Sequence, residues 1–357
     1  MKLNRKIGVL IIDDSAFMRK SLSIMLESDP DIKVVGTARN GQEGLELVKS
    51  LKPDVATLDI EMPVMDGLTA LKKIMAESPT SVIMVSSLTT EGAESTLKAL
   101  ELGAVDFIPK ELSYVNINIT KIKEDLISKV KEIVKQKLIK ERLNRLRSIS
   151  QPGKQEVQRY SQNQIPSIGY KAVAIGISTG GPLALQKILP VLSDKIQIPI
   201  FIVQHMPPKF TKSLADRLNS MSKLNVKEAE NGEKVENGTV YIAPGGYHMT
   251  ITKNGFTSSH ISISEEPSYT LHRPSVDVMM NSVINTYGKY TLGVIMTGMG
   301  KDGFEAIKNL KSMGGYSIAQ DEQTCIVYGM PKAIVDAGFA DNILPLEKIP
   351  ETINKVV

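Results

Sequence analysis

The stretch Ile7–Asp14, IGVLIIDD, sets six apolar or glycine positions directly against two carboxylates. An apolar run that does not alternate reads as a strand buried on both faces, and it is too short for a core helix. Because it runs straight into charge, it is not expected to be a signal peptide. Four more stretches have this character: KVVGTA (33–38), DVATLDI (54–60), SVIMVSS (81–87) and VDFIPK (105–110). Between them, AFMRKSLSIMLES (16–28) and the segments near 41–51, 67–77 and 91–103 carry helical apolar spacing. Five strands alternating with helices predict a parallel, doubly wound α/β sheet. Right-handed crossovers then bring the functional loops to the carboxyl ends of the strands.

A chain of 357 residues is too long for one ordinary core and predicts two domains. Residues 148–168, SISQPGKQEVQRYSQNQIPSI, lack periodicity and are rich in Ser, Gln, Pro and Gly, the composition of a flexible linker. From Lys171 the α/β pattern resumes. KAVAIGIS, IPIFIVQ, TVYIAP and TLGVIMTG read as strands, with helices over 182–191, 210–220, 275–286 and 303–313. The expected division is a first domain over 1–120, a basic helix and linker over 121–168, and a second α/β domain over 169–357. Cys325 is the only cysteine, so neither an intrachain disulfide nor a Cys-rich zinc site can form, as suits a reducing, cytosolic setting. No apolar run approaches the ~20 residues of a membrane span. The net charge of +4 is uneven: residues 121–147 hold ten Lys and Arg against four acids. Without interleaved aromatics this reads as a solvated helical face rather than a nucleic-acid surface.

Chemistry-bearing residues stand at the strand ends. Asp13 and Asp14 close the first strand, Asp59 the third, Ser86 the fourth and Lys110 the fifth. A parallel sheet gathers all of them on one edge. Three carboxylates there repel one another unless a cation joins them, and Mg²⁺ suits such an oxygen site. Lys110 can pair with the acids as a point charge. An exposed Asp59 beside the metal could then attack a phosphoryl donor. Taken singly, each Asp could merely cap a helix or turn. The set resembles the receiver domain of two-component response regulators, which has a flavodoxin-like fold. The resemblance implies Asp59 as phosphoacceptor, Asp13 and Asp14 as metal-binding acids, Glu61 of DIEMPVMDG as the lender of a backbone carbonyl to the metal, and Ser86 and Lys110 as switch residues. Proline usually follows that lysine; here Glu111 does.

In the second domain, Gly176–Gly180 satisfies G-x-S-x-G between a strand and a helix, the setting of a nucleophile elbow around Ser178. A serine in such a turn could equally bind a phosphate. A nucleophile needs a base, and the base an orienting acid. Of the four histidines, His205 is best placed, at the end of IPIFIVQ; His248, His260 and His272 lie in strands or a loop. Asp302 in TGMGKDG follows another strand, while its competitor Asp277 falls inside a predicted helix. The order Ser, His, Asp differs from that of α/β-hydrolases. The six segments GISTGGP, QHMPPKFTKSLADRLN, IAPGGYHM, HRPSVDVM, TGMGKDG and VYGMPKAI resemble the chemotaxis protein-glutamate methylesterase/glutaminase family. That resemblance implies Ser178 as nucleophile, His205 as base, Asp302 as its orienting acid and the Met299 N–H in the oxyanion hole. His272 and Arg273 fall in a shared motif without an assigned role. It further implies no cofactor for the esterase reaction, methyl-accepting chemoreceptors as substrate, a chemotaxis histidine kinase as phosphodonor, a cytoplasmic monomer, and a receiver that hinders access to Ser178 until phosphorylated. A DNA-binding response regulator would predict a small helix-turn-helix output instead of a large α/β domain. A dinucleotide-binding module would predict G-x-G-x-x-G, which the spacing G-x-x-x-G-G does not match.

Overall fold

The computed structural model describes residues 5–110, 118–149, 166, 168–254 and 258–357. The chain divides into two compact units, Met1–Asn144 and Arg145–Val357. Glu111 and nearly all of the linker predicted over 148–168 lie outside the described residues. No described helix is long and apolar enough to cross a membrane.

In the first unit, β1 (Ile7–Ile12), α1 (Ala16–Glu27), β2 (Ile32–Ala38), α2 (Gly41–Leu51), β3 (Val55–Asp59), α3 (Gly67–Glu77), β4 (Ser81–Ser86), α4 (Thr90–Glu101) and β5 (Asp106–Pro109) alternate. The five strands are parallel in the order β2-β1-β3-β4-β5, the flavodoxin-like arrangement. Every residue of β1 and β3 is buried, because helices cover both faces of the sheet. Ser15, Asn40, Asp66 and Thr89 each accept a backbone N–H from the first turn of α1 to α4, so each helix has a local start signal.

The helix set apart in the sequence as a basic element is α5 (Asn118–Ile149), and most of its length belongs to this unit. It buries Leu126, Val130, Ile133 and Val134. Two of its lysines reach acids distant in sequence. Lys129 lies 3.2 Å from Asp106 and 3.1 Å from Asp125, and donates to the Phe107 carbonyl at 2.9 Å. Lys131 bridges Asp29 and Asp31 at 3.1 and 2.8 Å. The Lys131 pairs, whose acids lie about a hundred residues away, are invisible to a local charge count.

The second unit runs β6 (Ala172–Ile177), α6 (Gly181–Ile188), β7 (Ile200–Gln204), α7 (Phe210–Met221), β8 (Asn225–Glu228), β9 (Thr239–Ile242), β10 (His248–Asn254), β11 (Ser258–Ser264), α8 (Val276–Tyr287), β12 (Thr291–Ile295), α9 (Phe304–Ser312), β13 (Tyr316–Gln320), α10 (Met330–Asp336), β14 (Asn342–Leu344) and α11 (Lys348–Val356). Seven parallel strands follow the order β14-β13-β12-β6-β7-β9-β8, and β10 and β11 form a separate antiparallel pair. Sequence periodicity does not separate β8, β13 and β14, which have three to five residues each. The chain leaves β6 toward β7 on one side and returns to β12 on the other. The β6–β12 boundary is therefore the topological switch point, where open α/β sheets bind ligands. Register aligns the strand ends, with Gly176 opposite Ile295 and Ile177 opposite Gln204. The residues just past β6, β7 and β12 consequently share one edge.

Candidate active site

Ser178 is the first residue past β6. Its N–H donates to the Thr297 carbonyl at 3.0 Å, and its carbonyl accepts from Gly181 N at 2.8 Å. Gly180 takes φ +76°, and a Cβ there would lie 2.5 Å from Ile326 Cγ1, so a larger residue would be both strained and blocked. A Cβ on Gly298, past β12, would lie 2.8 Å from Ser178 Cβ. Glycine in TGMG therefore lets the β12 loop close against the serine.

His205 follows β7, and its N–H donates to the Ile177 carbonyl at 3.2 Å. Its Nε2 lies 2.8 Å from Asp302 Oδ2, with only about a tenth of either side chain exposed (9% and 11%). Asp302 also accepts from Ser275 Oγ at 3.0 Å, Val276 N at 2.7 Å and Asp277 N at 2.9 Å. These donors form the amino end of α8, whose dipole favours an anion. Burial alone would raise the Asp302 pKa, but the hydrogen bond and charge of His205 and the Asp277 and Val276 N–H groups hold it well below the usual carboxylate range. With Nε2–H committed to Asp302, Nδ1 carries the lone pair. Nδ1 is buried and has no hydrogen-bond partner among the described residues. The same set shows no Ser178–His205 side-chain bond; the preceding residues Ile177 and Gln204, paired in register, bring the two together.

The His205 ring stacks on that of His272, with centroids 4.1 Å apart and planes 20° from parallel. Arg273 pairs with Glu265 at 3.0 Å. His248 is fully buried: Nδ1 accepts from Ser275 N at 3.2 Å, and Nε2 meets the Pro267 carbonyl and Thr270 Oγ1 at 3.2 and 3.1 Å. Burial pushes its pKa down. It fastens the loop that carries His272 and Ser275. His260 lies on β11 opposite Thr252. Asp277 accepts from Ala306 N at 2.8 Å, and burial, with help from the Asp302 charge, raises its pKa to about 6. It faces the start of α9, and Asp302 is the acid that reaches His205.

Met299 is half-buried, and its N–H makes no hydrogen bond among the described residues. The loop before it is held by Thr297, a residue the sequence reading did not single out. Thr297 Oγ1 donates to the Thr179 carbonyl at 2.9 Å and accepts from Ile326 N and Val327 N, each at 3.1 Å. Gln320, at the end of β13, accepts from Thr297 N at 2.9 Å. Gln204, Ser275 and Gln320 also went unnamed. Their shared signal is a polar residue closing an apolar strand or opening a helix.

In the first unit, carboxylate oxygens of Asp13, Asp14 and Asp59 lie within 4.8 Å of one another. Lys110 Nζ stands 2.7 Å from Asp59 Oδ2 and 3.9 Å from Asp13 Oδ2. Asp59 Oδ1 accepts from Ile60 N at 2.8 Å, and Asp13 Oδ1 from Ser15 N at 2.9 Å. Asp13 Oδ2 is buried with no hydrogen-bond partner. Burial, then the charge of Asp59, lifts the Asp13 pKa to about 6; burial also raises that of Asp59 against the pull of Lys110. An all-oxygen cluster with an orphaned carboxylate oxygen fits a hard divalent cation. A Cβ on Gly67 would fall 1.9 Å from the Asp59 carbonyl oxygen, so the glycine of MDG seats this loop. Glu61 is exposed. Ser86 does not join the cluster: its Oγ lies 2.7 Å from Thr96 Oγ1 and 3.2 Å from the Gly92 carbonyl, on α4.

The CheB methylesterase family model matches residues 173–353, and the response regulator receiver domain model matches residues 9–120. The protein-glutamate methylesterase/protein-glutamine glutaminase of Pyrococcus abyssi is 49% identical over 99% of this chain and 94% of its own. The protein-glutamate methylesterase/protein-glutamine glutaminase 2 of Nitratidesulfovibrio vulgaris is 50% identical over 97% of this chain and 98% of its own. Among solved structures, the Thermotoga maritima CheB methylesterase catalytic domain is 45% identical and aligns with a TM-score of 0.51, covering 53% of this chain and 100% of that one.

Proposed function

Since the chain belongs to the CheB methylesterase family and carries a response regulator receiver domain, we propose that it is a phosphorylation-regulated serine hydrolase of chemotaxis adaptation. It hydrolyses glutamate methyl esters on chemoreceptors and, with the same groups, glutamine amides. The observation that carries this reading is the largely buried His205–Asp302 pair beside the Ser178 turn, with Nδ1 of the imidazole left without a partner.

Ser178 Oγ attacks the ester carbonyl while His205 Nδ1 takes its proton. Asp302 stays ionised, fixes the tautomer and stabilises the imidazolium. The oxyanion is received by the Met299 N–H, with the amino end of α6 adding its dipole. Collapse of the tetrahedral adduct passes the Nδ1 proton to methoxide, and methanol leaves. Water then attacks the acyl-enzyme, His205 again takes a proton, and the glutamate carboxylate departs. With an amide substrate the first leaving group is ammonia.

In the receiver, Asp59 is the phosphoryl acceptor and a chemotaxis histidine kinase the donor. Asp13, Asp14, Asp59 and the Glu61 carbonyl would hold Mg²⁺, which supplies positive charge against the charge that develops on the phosphoryl oxygens. Lys110 already neutralises one Asp59 oxygen. Ser86, hydrogen-bonded to α4 in this structure, is free to change partner when Asp59 gains a phosphoryl group, and α4 would move with it. We place the functional boundary of the catalytic part near residue 169, after the linker.

Methanol release and the mass of methylated receptor peptides test the hydrolase. Wild-type protein removes one methyl group per site, and receptor masses unchanged at high enzyme concentration would overturn the reading. Acyl-phosphate labelling with a small phosphodonor and Mg²⁺ tests the receiver: wild type is labelled and Asp59→Asn is not.

A further inference from the structure

Gln204, the last residue of β7, is 2% exposed, and the hydrolysis above gives it no task. Its Nε2 donates to the Ser178 carbonyl at 3.0 Å and to the His205 carbonyl at 3.1 Å. Two carbonyl acceptors call for the NH₂ group on that side. The other side, Oε1, packs on Gly181, where a Cβ would lie 1.8 Å away. The last two glycines of GISTGG thus have separate causes. Gly180 serves the backbone turn and Ile326, and Gly181 leaves room for the Gln204 amide.

We propose that Gln204 is a positioning residue that sets the separation of Ser178 and His205, with Gly181 as its seat. This rests on the reading of those two residues as nucleophile and base. The β6 loop carries one and the β7 loop the other. A single buried amide ties the carbonyls of both, in a place where water is excluded. Loss of the donor lets the loops drift, and small displacements of reacting groups are expensive in rate.

The test uses the full-length protein with Gln204→Met, which keeps volume, Gln204→Glu, which turns a carboxylate toward two carbonyls, and Gly181→Ala. Gln204→Ala alone and combined with Gly181→Ala complete a cycle. A fluorophosphonate probe reads Ser178 directly, because Oγ displaces fluoride from phosphorus as its proton passes to His205. Kinetics of methyl release supply kcat and KM. Folded Gln204 variants are expected to lose about 10- to 100-fold in kcat and labelling rate, Glu more than Met, with KM changed less than about twofold. Gly181→Ala is expected to fall similarly, and the losses of Gly181→Ala and Gln204→Ala do not multiply when combined. Wild-type labelling rates per active molecule in the Gln204 variants would overturn the proposal, even if their melting temperatures drop. So would multiplicative losses in the double variant. If wild-type Ser178 itself fails to react with the probe, the nucleophile assignment falls instead.

Discussion

Asp302 and Asp13 both stand at the carboxyl edge of a parallel sheet, Asp302 largely buried and Asp13 fully so, yet their electrostatic states are opposite. Asp302 accepts hydrogen bonds from His205, Ser275, Val276 and Asp277 and is held well below the usual carboxylate range. Asp13 accepts from Ser15 alone, leaves one oxygen without a partner, and is pushed up to about 6. Burial raises both pKa values; the hydrogen bond and charge of His205 and the backbone donors are what turn the shift of Asp302 downward. One fold edge therefore yields two kinds of acid. The first is complete within the chain and can orient a base. The second is incomplete and favours the arrival of a cation.

The largest effect is expected at the site that is complete within the chain. Ser178→Ala should lower methyl release by about 10⁴- to 10⁶-fold with the fold intact, leaving what the oxyanion site and binding alone supply. A folded variant with near-wild-type methanol release would remove Ser178 from the mechanism. Asp302→Asn comes next. It preserves shape but leaves the imidazole tautomer unfixed, so a loss of about 10³- to 10⁴-fold in kcat is expected. Because the wild-type carboxyl titrates below the usual range, no ionisation belonging to it should appear in the rate profile between about pH 5 and 9.

Asp13 should show the opposite sign. Its folded pKa lies above the unfolded value of about 3.9, so in chelator the receiver loses stability as pH rises from about 4 through 6. Asp13→Asn should therefore stabilise the metal-free receiver at pH 7 by roughly 1–3 kcal/mol, and should abolish the stabilisation that Mg²⁺ gives the wild type. Thermal unfolding at pH 5 and 7, with chelator and with Mg²⁺, reads both effects. A destabilised Asn variant in chelator would show that Asp13 is no strained acid. The smallest expected effect joins the two units. A fragment from Pro166 onward should release methanol about tenfold faster than the unphosphorylated full chain, and phosphodonor should stimulate only the latter. A slower fragment would make the receiver an obligatory activator.

Much of this was legible in the sequence because it is local. Apolar runs ending in Asp13, Asp59, Ser178 and His205 announce strands and their carboxyl ends, and parallel topology gathers those ends whatever the intervening residues are. Tertiary structure alone decided the rest. Packing gave α5 its acids, Asp29, Asp31 and Asp106, and drew the helix into the first unit. It set Asp302, the acid already preferred over Asp277 in the sequence, against the amino end of α8, and it set His272 on His205. It also made Gly181 the neighbour of Gln204, 23 positions away in the chain. Strand periodicity and caps depend on neighbours within a few residues, whereas charge pairing, donor counts and close contacts depend on distances that exist only after the chain has folded.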